Sequence, residues 1–168
     1  DAAGNTGPTS APFSIDVDLS GPGAPQITDV PDNSMGGISV AEAADGSIVN
    51  VDIGGIGAKV GDVIALDWGG TPVTYTLTAT DISNNSAPVT VSSAVINTRG
   101  SGTFDLTTTL TDSAGNVSPP STPFTVKVDV VLPFAPTITA ISESADGGIN
   151  AAEAADGTPV TVSSVGTE

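Results

Sequence analysis

The sequence predicts an all-β protein of tandem Greek-key β-sandwich modules, with about seven strands to a repeat. Three observations point there. Residues 1–57 return without a gap as residues 112–168, an offset of 111 residues, and about half the aligned positions are identical. A fixed long period means modules in line, and ~100 residues is the size of one sandwich. Short runs of Thr, Val, Ile and Ser alternate with Gly, Pro, Asn and Asp, which is the pattern of strands and turns. Helix signals are weak: the Ala-rich stretch Ala41–Gly46 and its copy Ala152–Gly157 are too short to stand as helices and read as a turn or loop.

The period divides the chain into three parts. Residues 1–20 read as the C-terminal hairpin of a preceding repeat, 21–131 as one complete repeat, and 132–168 as the N-terminal strands of a following repeat. In the complete repeat, strands are expected near 25–30, 47–53, 62–68, 72–80, 87–96, 102–111 and 122–130. Val63 to Trp68 runs into Gly69-Gly70, after which Val73, Tyr75 and Leu77 alternate with threonines. That is a hairpin with one buried and one wet face. Phe104, Leu106 and Leu110 repeat the alternation, as do Phe124, Val126 and Val128. Trp68 is expected in the core between two sheets. The linkers Val17–Pro22 and Val128–Pro133 each lead into Ala-Pro. Proline extends the residue before it, so these joints are short and stiff.

Composition narrows the function. Lys59, Arg99 and Lys127 are the only cationic side chains against 19 carboxylates, for a net charge of −16. Nucleic acid is excluded, because binding it needs a basic patch. Anionic membranes are disfavoured for the same reason, and no apolar run is long enough to insert into a bilayer. With no Cys and no His, disulfides are absent and ordinary zinc or copper sites are improbable. An all-oxygen donor set points to calcium.

Three acidic motifs recur. D-x-A-G-N stands at Asp1/Asn5 and Asp112/Asn116, the linker acid at Asp18 and Asp129, and A-E-A-A-D-G at Glu42/Asp45 and Glu153/Asp156. Acidic loop residues Asp32, Glu143 and Asp146 precede the last motif. In a Greek-key sandwich the final hairpin loop lies at the upstream pole, where the preceding repeat joins, and the loop after the first strand lies at the downstream pole. Asp112 and Asn116 should therefore face Asp18, while Glu42 and Asp45 should face Asp129. Calcium takes six to eight oxygens in irregular geometry and suits such a junction. The same residues are also good turn chemistry, since Asp and Asn bond to nearby backbone and Gly supplies positive φ. The sequence leaves both readings open.

Taken in order, D-[AS]-A-G-N, P-F-[ST]-[IV]-x-V-D, P-x-A-P-x-I-T and G-G-I-x-x-A-E-A-A-D-G resemble the bacterial immunoglobulin-like repeats of giant biofilm-associated adhesins. The Asp67-Trp68-Gly69-Gly70 hairpin is similar too. The resemblance implies type I secretion, an extracellular location on the bacterial cell surface, and extended rods with calcium at the junctions. It implies Asp18, Asp112, Asn116, Glu42, Asp45 and Asp129 as calcium ligands. Both linkers depart from the family's V-D-T-T-A-P.

The leading functional reading is a structural extender whose partners are neighbouring repeats of the same chain. A carbohydrate- or surface-binding module is the alternative, although such sites usually present aromatic platforms and most aromatics here lie at core parity. Self-association into an extracellular fibre by strand complementation is a third reading, because half-sandwiches leave strand edges to pair. An enzyme is the weakest reading: Asp62, Asp67 and Asp105 fall at outward positions, where acids stay solvated, and no nucleophile or phosphate-binding motif is present.

Overall fold

The computed structural model describes residues 1–34, 36–142 and 147–164. In the complete repeat, β1 (Gln26–Asp29), β2 (Ser47–Asp52) and β5 (Ser86–Val91) form an antiparallel sheet in the order β1-β2-β5. Its partner sheet is β4-β3-β6-β7, from β4 (Thr71–Thr76), β3 (Val63–Trp68), β6 (Gly102–Thr111) and β7 (Phe124–Val128). These are the seven strands of an all-β, immunoglobulin-like sandwich. A separate two-stranded sheet, β8 (Thr137–Ile141) with β9 (Val160–Ser163), follows. Residues 1–20 hold a turn at their start and no strand.

Alternation decides which faces meet. Val49, Val51, Ile64, Leu66, Trp68, Val89, Leu106, Leu110 and Val126 all point between the sheets and are fully buried. Every residue of this core lies between Val30 and Val128, so the complete repeat has a self-contained apolar centre. Trp68 holds its place by bulk. Among the described residues its Nε1, though buried, meets no hydrogen-bond acceptor.

Proline shapes the far half of β6. On β6, β7 pairs with Gly102–Leu106; opposite the rest, Pro119-Pro120 has no N–H to donate, and the Ser118 and Ser121 amides supply the donors, to Leu110 O and Thr108 O at 2.8 Å. There the Ser121 hydroxyl accepts from Thr108 N at 3.0 Å, and the Ser118 hydroxyl accepts from Leu110 N at 2.9 Å. Side chains complete what the ladder cannot.

The helical content corrects the sequence reading. α1 (Val40–Asp45) is a helix rather than a loop, and the strands expected at 72–80 and 87–96 stop early. β4 ends at Thr76 and α2 (Ala79–Asn84) follows; β5 ends at Val91 and α3 (Ser93–Arg99) follows. α1 and α2 open with capping boxes, Ser39 with Glu42 and Thr78 with Asp81. Each box satisfies two end donors, which offsets the poor intrinsic stability of so short a helix. α3 lacks a side-chain cap and buries Ile96 instead. Packing overrides its β-branched composition.

Candidate functional site

The upstream pole gathers the linker, the loop before β3 and the loop after β6. Asp112 turns that last loop back on itself. Its Oδ1 accepts from Ala114 N at 2.9 Å and Asn116 N at 2.8 Å, while Oδ2 accepts from Asn116 Nδ2 at 3.0 Å. The Asn116 amide, together with the backbone donors, holds the Asp112 carboxyl below its ordinary pKa. Asn116 Nδ2 also donates to the main-chain oxygen of Asp18 at 3.1 Å. Asp112, Asn116 and Asp18 therefore meet, across 98 residues of sequence. The Asp18 carboxylate accepts from Ser20 N at 3.0 Å, fixing the start of the linker. Ser20, Gly21, Pro22, Ile56, Lys59 and Asp112 line a shallow hollow at this pole.

The downstream pole is built differently. The Ile38 amide donates to Lys127 O and Asp129 N donates to Ile38 O, both at 2.8 Å. The end of β7 is thus tied to the loop leading into α1. Glu42 faces its own N-cap: Ser39 N and Ser39 Oγ both donate to Oε2 at 2.8 Å. The Ser39 amide first, then its hydroxyl, holds the Glu42 carboxyl below its ordinary value. Glu42 and Asp45 share an open hollow with Asp32 and Pro31. Asp129 lines another, with Gly36, Gly37, Val40, Val131 and Leu132. The first turn of α1 stands between them, with Ala41 in both walls. The Asp129 carboxylate accepts from Val131 N at 3.2 Å, the same turn that Asp18 makes.

Among the described residues, no group of three or more His, Cys, Asp or Glu side chains converges in the manner of a metal cage. Glu143, Asp146 and the Asp156 side chain lie outside the described residues. The upstream pole nevertheless fits a hard cation in one respect. Asp18 O and Asp112 Oδ2 both aim at a single point, the Asn116 amide nitrogen. Turned over by 180°, that amide would set its own oxygen beside those two, and calcium accepts backbone, amide and carboxylate oxygens together. The downstream pole fits less well, because Glu42 is committed to its capping box.

One acid sits elsewhere than expected. Asp62 lies just before β3, is 1 % exposed, and accepts from Lys59 N at 2.8 Å. The period-two pattern put it on an outward strand position, but it belongs to the loop that starts the strand. Sequence reasoning also missed Asp81, which is buried and accepts from Thr78 N, Thr78 Oγ1 and Tyr75 OH. The T-x-x-D spacing of Thr78 and Asp81 was the available signal.

Solved structures supply the comparison. A structure described as a Ca2+-stabilized adhesin that helps an Antarctic bacterium reach out and bind ice is 28 % identical with a TM-score of 0.51. The match covers 99 % of this chain and 38 % of that one. The fold neighbours of this chain are the immunoglobulin-like repeats of giant bacterial adhesins. A second such neighbour, from work on host cell surface retention of a 1.5-MDa bacterial ice-binding adhesin, is 25 % identical with a TM-score of 0.44. That match covers 68 % of this chain and 34 % of the other. A third is a bacterial immunoglobulin-like domain from the M. primoryensis ice-binding adhesin, 23 % identical with a TM-score of 0.42. It covers 67 % of this chain and the whole of that domain. The chain thus spans little more than a third of the first two adhesin chains. No protein-family profile and no curated protein matches it. No helix among the described residues is long and apolar enough to cross a membrane.

Proposed function

We propose that this chain is an extender segment of a bacterial cell-surface adhesin, displayed outside the cell, where it supports adhesion and biofilm formation. Residues 21–131 are one complete repeat, 1–20 close the repeat before it and 132–168 open the repeat after it. Its partners are neighbouring repeats of the same chain, and it has no catalytic role. The observation that carries this reading is the match to the Ca2+-stabilized adhesin along 99 % of the chain. The internal period and the stiff proline-bearing linkers support it.

Calcium is proposed as the structural cofactor at both poles, with Asp18, Asp112 and Asn116 upstream and Glu42, Asp45 and Asp129 downstream. Bound there, it would neutralise carboxylates that otherwise repel in a chain of net charge −16. The meeting of Asp18, Asp112 and Asn116 favours the upstream set.

The test is a thermal melt of the chain in calcium and in chelator. A ligand bound only by the folded state adds about 2.7 kcal/mol at a hundredfold excess over its dissociation constant. A calcium-specific rise in Tm that vanishes in Asp112→Asn is expected. Equal melting temperatures in calcium, magnesium and chelator would reduce the acids to turn formers and solubilising charge.

A further inference from the structure

The two linkers are aligned residue for residue, yet they differ in chemistry. Asp18-Leu19-Ser20-Gly21-Pro22-Gly23 becomes Asp129-Val130-Val131-Leu132-Pro133-Phe134. Where the first has a hydroxyl and two glycines, the second has three large apolar side chains.

The complete repeat shows what these positions touch. Gly23 N donates to Ile56 O at 2.8 Å. A Cβ placed on Gly23 would lie 3.1 Å from the Ile56 Cβ, tighter than ordinary contact, and one on Gly21 would lie 3.4 Å from Val117 O. Linker positions 21 and 23 are thus pressed against the upstream face of the repeat they open, and Pro22 between them is buried. Position 23 is glycine because Ile56 already fills the space. In the second copy the exchange is reciprocal: Phe134 replaces Gly23, and the residue aligned with Ile56 is Thr167. In sequence, bulk at position 56 is exchanged for bulk at position 23. Val131, Leu132 and Phe134 are 59 %, 71 % and 78 % exposed; the aligned Ser20 and Gly21 are exposed too, and Gly23, packed on Ile56, shows which face lies beside position 134. On the other side, Leu132 and Val131 already line the hollow formed by Gly36, Gly37 and Val40 of the repeat behind.

We propose that the linker Asp129–Phe134 is an apolar joint, clamped between the downstream face of the complete repeat and the upstream face of the repeat it opens, and stiff even before calcium binds beside Asp129. The occupant that covers Leu132 and Phe134 is that following repeat of the same chain. The linker Asp18–Gly23 is the contrasting kind, held by the polar contact of Asn116 with Asp18 and dependent on calcium for stiffness. This rests on the extender reading above and adds that the two linkers form two kinds of joint.

Two copies of residues 21–131, whose core is self-contained, are joined in tandem with either linker at the joint. The apolar form carries Val130–Phe134 with Ile56→Thr in the second copy; the glycine form carries Leu19–Gly23. The protein has no native cysteine, so Thr74→Cys in each copy gives one spin label per repeat. Pulsed dipolar spectroscopy then reads the distance distribution. In chelator the apolar joint should give a distribution at least twofold narrower than the glycine joint, and the glycine joint should narrow only when calcium is added. Phe134→Gly should widen the apolar joint, and Phe134→Leu should keep it narrow. Equal widths in chelator would overturn the proposal, as would narrowing that depends on protein concentration, which would assign these side chains to contacts between separate molecules. A glycine joint that stays broad in calcium would defeat the calcium reading and leave the apolar joint standing.

Discussion

Val126 and Ile15 occupy the same position of the repeated sequence, and so do Phe124 and Phe13. Val126 is fully buried in β7, paired with β6, whereas Phe13 and Ile15 are 90 % and 73 % exposed in a stretch without a strand. The D-x-A-G-N turns of the same two stretches show no such contrast. Asp1 accepts from Ala3 N, Asn5 N and Asn5 Nδ2 at 2.9, 3.0 and 3.1 Å, and Asp112 makes the same three bonds. The turn closes within five residues and needs no neighbour. The strand needs a partner to satisfy its backbone and a second sheet to cover its apolar face.

The largest effect should come from putting a charge at the buried member of that pair. Val126→Asp is expected to unfold the complete repeat, a loss above about 4 kcal/mol. Ile15→Asp should stay within about 0.5 kcal/mol. Denaturant titration of both variants checks this, and similar losses would mean residues 12–17 are packed after all.

A glycine pair comes next. Gly46 ends α1 and Gly157 ends the aligned helical turn Glu153–Asp156, with φ of +90° and +94°. A Cβ on Gly46 would lie 2.7 Å from Val91 O, whereas one on Gly157 would meet nothing within 4 Å. Gly46→Ala should cost about 2–4 kcal/mol, combining the strain of an extended backbone at positive φ with overpacking. Gly157→Ala carries only the strain, about 1 kcal/mol. It should appear as faster amide exchange in β8–β9 with the main unfolding transition unmoved.

The buried acid Asp81 separates core electrostatics from those of the poles. Burial alone would raise its pKa, but hydrogen bonds from Thr78 and Tyr75 outweigh that and hold it below the ordinary carboxylate value. A carboxyl lowered by folding contributes stability that is present above its unfolded pKa and lost as pH falls through the folded one. The repeat should therefore weaken as pH drops below about 4. Asp81→Asn should flatten that acid limb and cost about 1–2 kcal/mol at neutral pH through the damaged cap. Urea titrations at neutral and acid pH decide it; an unchanged acid limb would place the sensitivity elsewhere.

The smallest contrast lies in the turns. Asn116→Ala removes the contact to Asp18 O and should cost roughly 1 kcal/mol. Asn5→Ala breaks the same local turn where nothing docks and should leave the melt unchanged. Equal shifts would show that the Asn116–Asp18 contact contributes nothing beyond the turn.

Much of the fold was legible because strand signals are local. Alternation over five or six residues located all seven strands of the complete repeat, and Trp68 fell where a core residue should. The short helices were missed, although two of them carried a mark in their caps. Ser39 with Glu42 and Thr78 with Asp81 carry the S/T-x-x-E/D spacing, while their interiors are too short or too β-branched to reveal a helix. α3 had no such mark, since contact with the rest of the pole makes it.

The poles divide along the same line. The sequence by itself determined the strand faces and the Asx turns, because each depends on residues within a few positions of one another, and the period and the unlike linkers, because aligning the chain with itself exposes them. Only the tertiary structure decided that Asp18 meets Asn116 across most of a repeat, that α1 stands between Asp129 and Glu42, and that Gly23 lies against Ile56. Those contacts depend on how two sheets bring distant loops to one end of a sandwich. Local propensity is blind to that, because the cost of closing so long a stretch of chain is offset only by the shared core.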